Sequence, residues 1–398
     1  MDDERNETNQ DWTLKVVSSI HRVAAKDWDA CAGVGTVTHN PFVRHAFFSA
    51  LEDSKSVDVE AGWQPQHMVL EDRAGRVLAC APLYLKTHSY GEYVFDWGWA
   101  EAYQRAGGRY YPKLQCAVPF TPVTGPRLMV RADLDEATQR ELRHTLLAGM
   151  IELARRLKVS SLHVTFPTEA EFDLMSEGGL LPRIGEQYHW KNQGYASFED
   201  FLGALSSRKR KTIRHERAVA NGAGVEIATL TGDDIKPHHW DAFFSFYMNT
   251  SDRKWGRAYL TREFFDLLDQ RMGEAVVLVM GEKGGQPVCG ALNLRGGDTL
   301  FGRNWGTVVD VPMLHFEVCY YRAIDFAIEH KLAWVEAGAQ GQHKVQRGYL
   351  PQRTYSSHWI ADPGFKAAVA RFLEQEREAV AQDIEAVTAL GPFKRLDN

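Results

Sequence analysis

EAVVLVMGEKGGQPVCGALNLRGGDTLFGRNWG, residues 274–306, is the stretch that decides the architecture. Its apolar runs alternate with polar and glycine-rich breaks, and Gly284 and Gly285 carry the first turn, which reads as an antiparallel meander. The next segment, MLHFEVCYYRAIDFAIEHK (313–331), puts Leu314, Val318, Tyr321, Ile324 and Ile328 on one helical stripe. WVEAGAQ (334–340) is then a further strand, and GFKAAVARFLEQEREAVAQDIEAV (364–387) a long closing helix. Upstream lie a strand, GVEIATL (224–230), and two amphipathic helices, KPHHWDAFFSFYMNTS (236–251) and TREFFDLLDQRM (261–272).

The first half repeats this order. HMVLED (67–72) and RVLACAPLYLK (76–86) form a hairpin pattern around a short glycine-containing turn, and VFDWGWA (94–100) is another β-type run. LQCAVPFTPVTGPRLMV (114–130) is extended but broken by Pro119, Pro122 and Pro126, which suits an edge or a binding loop. The segment 133–159 has helical spacing, with acidic residues in its first turns and Arg155, Arg156 and Lys158 in its last, as the helix dipole favours. SSLHVTFP (160–167) follows as a strand. Two such units imply tandem α/β (α+β) domains, expected at residues 12–190 and 191–398, with the seam near 185–205. Residues 1–11 are expected to be a disordered tail, and a C-terminal helix is expected over 363–390.

Composition agrees. At 398 residues, with 44% hydrophobic and 11% aromatic residues, the chain exceeds one core and is not a disordered polymer. The five cysteines stand apart in apolar contexts without CxxC spacing, as buried thiols in a reducing compartment would. No secretory leader pattern and no apolar run of membrane-spanning length appears, so a cytoplasmic protein is expected. No GxSxG, P-loop or Cys/His dyad is present, and His238 and His239 lack companions at metal-ligand spacing, so no metal is expected.

Several stretches carry a resemblance to a known family: NPFVRHAFFSALE, GWQPQHMVLED, CAPLYLKTHSYGEYVFDWGWAEAY, YYPKLQCAVPFTPVTGPRL, SSRKRKTIRHER, TSDRKWGRAYLTREFF, LFGRNWG, LHFEVCYYRAIDFAIEH and EAGAQGQHKVQRGYLP. Over residues 12–375 the chain resembles the FemAB-like branch of the GNAT acyltransferase superfamily, associated with peptidoglycan. The resemblance implies two GNAT-like domains, each a mixed, mostly antiparallel sheet flanked by helices. It also implies an acyltransferase in which an amine of a small-molecule or peptide acceptor attacks an activated carbonyl directly. The co-substrate would be aminoacyl-tRNA, as in Fem-type relatives, or acyl-CoA, as in the wider superfamily, with no tightly bound cofactor. GPRLMV lacks the R/Q-x-x-G-x-G/A pattern of acetyl-CoA-binding members, which counts against CoA in the first domain. A non-catalytic module that binds a nucleotide-linked or peptidoglycan fragment, or a tRNA-binding accessory protein, is the competing reading.

The resemblance singles out GAQGQHKVQRGYLP, where Lys344 best matches a family lysine in the cleft. A lysine there can hold a phosphate as a point charge or stabilise an oxyanion, and Arg347 can grip a phosphate or carboxylate in fork fashion beside His343. Arg303 and Trp305 share a strand face. His315 and Glu317, about 200° apart on a regular helix, are each either a base for the incoming ammonium or an ordinary packing or dipole residue. RKRKTIRHER (208–217) holds six basic residues in a chain of net charge −6. It is a helix start, capped by Ser206 or Ser207 and anchored by Ile213. Arg208, Arg210, Lys211 and Arg214 face a tRNA backbone, a diphosphate, or solvent alone. No nucleic-acid-reading module accompanies them, so duplex DNA is excluded as a partner. Arg253 and Trp255 belong to a substrate-gate loop, and Tyr90 and Trp97 to a polar-aromatic set suited to sugars or peptides.

Overall fold

In the computed structural model the described residues are 12–254, 258–338 and 341–394, with only the backbone described over 251–254. The expected tail 1–11 lies outside them. The first half contributes β1 (Thr13–Val17), β2 (Trp63–Pro65), β3 (His67–Glu71), β4 (Val77–Ala81), β5 (Leu83–Lys86), β6 (Lys113–Cys116), β7 (Met129–Val130), β8 (Ser161–Thr165) and β9 (Leu181–Lys191). The second contributes β10 (Glu226–Thr231), β11 (Val276–Lys283), β12 (Gln286–Arg295), β13 (Thr299–Thr307), β14 (Trp334–Glu336) and β15 (Leu350–Ile360). The opening stretch 274–306 is the antiparallel meander β11–β12–β13.

Among the described strands, each half contains one parallel pair within an otherwise antiparallel set. In the first, Leu114–Cys116 of β6 runs beside Leu162–Val164 of β8. In the second, Thr299–Phe301 of β13 runs beside Trp334–Glu336 of β14. The helix Glu136–Arg156 and the helical stretch 314–329 supply the crossovers that a parallel pair requires.

The two halves exchange strands. β9 pairs with β14 of the second half, β15 pairs with β8 of the first, and β9 and β15 pair with each other. One eleven-stranded sheet therefore runs through the molecule, beside a four-stranded sheet β1–β3–β4–β7. It continues through the expected seam at 185–205, where β9 ends at Lys191. The helix Pro363–Ala389 lies across β9 and β15 and covers the exchange. A shared core stiffens the join: Phe42 packs edge-on to Phe301 at 5.4 Å, and Phe47 to Phe264 at 5.8 Å.

VFDWGWA corrects a strand expectation. Trp97–Arg105 is a helix. Asp96, just before it, accepts from the Tyr110 hydroxyl at 2.6 Å, and Trp99 and Ala100 pack against Tyr110 and Leu373. Those tertiary contacts outweigh the β preference of an aromatic run.

Candidate functional site

Beyond Phe301 and Glu336 the second parallel pair diverges, and the opening becomes a cavity of about 460 Å³. Gly302, Arg303, Asn304 and Trp305 line it from one strand, and Ala337 and Gly338 from the continuation of the other. This volume lies in the range of ordinary small-molecule sites. Tyr93 and Phe120 close it from the first half, so both halves wall the same cavity. Arg303 fastens that wall by donating to the Phe120 carbonyl at 2.6 Å, while its guanidinium lies 5.4 Å from the Phe42 ring.

The corresponding opening in the first half is filled. Arg127, fully buried, donates to the Thr165 carbonyl at 2.9 Å and to Val123 and Gly125 carbonyls at 2.8 and 3.1 Å. It stitches the loop after β6 across the space where the strands part.

The segment 341–348 supplies the cationic floor. Gly341 has φ +116°, and a Cβ there would lie 2.5 Å from the His343 ring, so only glycine lets the chain turn under that imidazole. His343 Nε2 meets the Tyr320 hydroxyl at 3.0 Å. Lys344, 3% exposed, donates to the Gly338 carbonyl at 2.9 Å on the cavity rim. His315 packs between Trp305 and Tyr320, with ring centroids 5.3 and 5.2 Å away. Lys344, Arg303, His315, His343 and Trp305 thus all line one cavity, and no carboxylate stands among its described lining residues. Such a wall favours anions and any negative charge that develops in a reaction.

Two expectations change, for Glu317 and Arg347, and two further groups of residues stand outside the cavity. Glu317 is fully buried and turned away, held by Arg217 at 2.9 Å and Arg322 at 3.0 Å. A widened π-type turn at Glu317–Tyr321 follows His315, yet the two side chains still diverge, as their spacing implied. Arg347 does not offer its fork to a ligand. Glu216 takes two of its nitrogens at 2.7 and 3.1 Å, and the His343 carbonyl takes a third at 2.7 Å. The basic helix Ser207–Asn221 lies outside the cavity: none of Arg208, Arg210, Lys211 and Arg214 lines it. Arg208 and Lys211 are exposed, Arg210 reaches Ser207 at 3.3 Å, and Arg214 pairs with Glu199. Its buried face instead carries Ile213, Glu216 and Ala220, and Glu216 and Arg217 hold Arg347 and Glu317 in place. Tyr90 and Trp97 sit in a neighbouring chamber, not in the cavity. Trp255 lies outside the described residues, as does the Arg253 side chain.

Sequence reasoning missed Tyr93 and Phe120. Both adopt left-handed backbone, φ +60° and +56°, at positions where no glycine stands. It also missed Glu336 and His189, which line a separate opening, with His189 Nδ1 3.9 Å from Glu336 Oε1. Burial pushes His189 down to about 3, with the Lys344 charge adding to the effect. Burial lifts Glu336 to about 8, against the pull of Arg303. Between the ordinary carboxyl range and about 8 the unfolded chain has released a proton that the folded chain keeps. Through Glu336 stability therefore falls as pH rises through that window, by up to about 1.4 kcal/mol per pH unit, while the depressed His189 works the opposite way below the ordinary imidazole range. Glu336→Gln is expected to make the slope of stability against pH less negative in denaturant titrations between about pH 7 and about pH 8, above the range in which His189 acts. An unchanged slope would mean that Glu336 ionises normally.

A family model described as FemAB-like, peptidoglycan biosynthesis/recognition, matches residues 19–395. Among solved structures the chain is similar to FemX, at 10% identity and a TM-score of 0.52, over 87% of this chain and 98% of that one. It is also similar to the C-terminal domain of a putative lysylphosphatidylglycerol synthetase from Agrobacterium fabrum, at 10% identity and a TM-score of 0.50, over 89% and 95% of the two chains. No curated protein matches. At such identities the solved structures speak for the fold. Among the described residues no helix is long and apolar enough to cross a membrane.

Proposed function

The chain belongs to the FemAB-like family, with two tandem GNAT-like units, and from that premise we propose that it is an N-acyltransferase working in the cavity between β13 and β14. The observation that carries the proposal is the convergence of Lys344, Arg303, His315 and His343 on a single opening that holds no carboxylate among its described lining residues. A primary amine attacks the carbonyl of an aminoacyl ester or an acyl thioester. The N–C bond forms, the carbonyl oxygen becomes an oxyanion, and the C–O or C–S bond then breaks to release tRNA or CoA.

The cationic wall assists twice. It stabilises the oxyanion, with Lys344 as the nearest candidate, and it lowers the pKa of the bound ammonium so that the amine becomes nucleophilic. His315 or His343 accepts the proton that the nitrogen sheds and passes it to the leaving group. Arg303 holds the first-half wall against the site through Phe120. Arg347 serves as a positioning residue through the His343 carbonyl. The exposed bases Arg208 and Lys211 offer a phosphate-binding surface at a distance, which suits a long tRNA donor.

The test is incubation of the purified protein with labelled aminoacyl-tRNA and, separately, labelled acetyl-CoA, against a panel of primary amines. Transfer of label to an amine supports the proposal and identifies the donor. If neither donor is consumed with any amine, a binding module takes its place.

A further inference from the structure

Beside the cationic cavity lies a second chamber of about 300 Å³ with a different chemistry. Aromatic rings of Tyr90, Tyr93, Phe95, Trp97 and Tyr259 line it. Tyr93 and Tyr259 also line the cavity, so the two spaces share a wall. Three of the rings face solvent: Tyr90 is 55%, Phe95 48% and Trp97 40% exposed. Rings that covered a core would be buried; these are held open, with Tyr90 and Trp97 edge to face at 4.9 Å.

The chamber is rigidly built. The loop that carries Tyr90, Tyr93 and Phe95 is fastened from below by two buried lysines. Lys113 donates to Ser89 at 2.8 Å and Glu92 at 2.7 Å, and Lys86 donates to the Tyr90 carbonyl at 3.2 Å. Gly91, at φ +79°, lets this loop press against Phe120, where a Cβ would come within 2.5 Å of the ring. The one side-chain hydroxyl among the described lining residues outside the tyrosines, Ser89, is already engaged by Lys113 and by the Tyr111 hydroxyl at 2.8 Å. A saccharide would find few partners there for its own hydroxyls.

Resting on the acyltransferase reading, we propose that this chamber is the subsite for an apolar group of the acceptor. The acceptor is then an amphiphilic amine, with its nitrogen in the cationic cavity and an alkyl or aryl group among the rings. The shared wall of Tyr93 and Tyr259 joins the two environments, and the change from cationic to aromatic lining across it defines that polarity.

Calorimetric binding of ethylamine, n-butylamine, n-hexylamine, 2-phenylethylamine and glucosamine to the full chain at about pH 10, where an appreciable share of each is the uncharged amine that a cationic cavity admits, tests this directly. Affinity is expected to rise about fourfold per added methylene along the alkyl series. A comparable gain is expected for 2-phenylethylamine over ethylamine, with glucosamine weakest. Trp97→Ala and Tyr90→Ala, both at exposed rings, should flatten the alkyl series while leaving the melting temperature unchanged. No detectable binding, a flat series in the unaltered protein, an undiminished slope in both variants, or glucosamine binding as well as n-hexylamine would each overturn the subsite. Donor consumption with a flat series leaves the acyltransferase reading standing without it. A steep series with no donor consumption does the reverse.

Discussion

Replacing Arg347 by alanine is expected to destabilise the fold by about 3–5 kcal/mol, because it strands a buried carboxylate. Glu216, 7% exposed, receives two of the Arg347 nitrogens at 2.7 and 3.1 Å. It also accepts from the Tyr321 hydroxyl, which cannot replace a counter-charge. The Arg347 guanidinium stacks on Phe316, 3.4 Å from the ring centroid, so its planar fork is fixed on three sides. Arg347→Lys keeps the charge but loses the fork and should fall between alanine and the native residue. The check is a denaturant-unfolding cycle with Arg347→Ala, Glu216→Ala and the double variant. Strong coupling, with the double variant costing much less than the two singles together, is the expected signature. A cost below about 1 kcal/mol, typical of a solvated surface pair, would refute the assignment. Because Arg347 also holds the His343 carbonyl, the Lys variant should lose activity beyond its loss of stability.

The Arg347 case shows what a linear reading reaches and where it stops. The segment 341–348 is legible through the family resemblance, and Lys344, His343 and Arg303 line one cavity. The fate of Arg347 depends on Glu216, a residue 131 positions away inside the same basic run that looked like a ligand surface. Net charge along a helix does not reveal which residue turns inward. Ile213 marked the buried face, but Glu216, one turn on, carried no apolar signal. The doubled meander was legible from alternating patterns, whereas the mixed character of the sheet came from the resemblance and the strands that run parallel were not marked at all. The exchange of β9 and β15 was not legible either, because both exchanged strands present the same side-chain alternation to either neighbour. Tyr93 and Phe120 escaped for a local reason: left-handed backbone at aromatic residues is held by the surrounding packing and leaves no compositional mark.

Lys344→Met is expected to lower turnover by about 10²–10³-fold, the usual cost of losing one charge-stabilising donor at a developing oxyanion. Methionine is the informative replacement because Lys344 is 3% exposed and its stem is packed, so a truncated residue would confound catalysis with a cavity. The two roles open to this lysine separate kinetically. A lysine that neutralises the oxyanion acts only in the transition state, so kcat should fall with KM for the donor little changed. A lysine that grips a donor phosphate stabilises ground and transition states alike, so KM would rise and kcat would hold. The geometry favours the first outcome. The Nζ hydrogen bond to the Gly338 carbonyl, 2.9 Å long, fixes the ammonium on the rim where β13 and β14 part. There it stands within the walls of the reacting cavity, whereas the helix that bears the exposed bases Arg208 and Lys211 lies outside it. Unchanged kcat and KM in Lys344→Met would remove Lys344 from the mechanism and leave Arg303 and the two histidines to carry the charge.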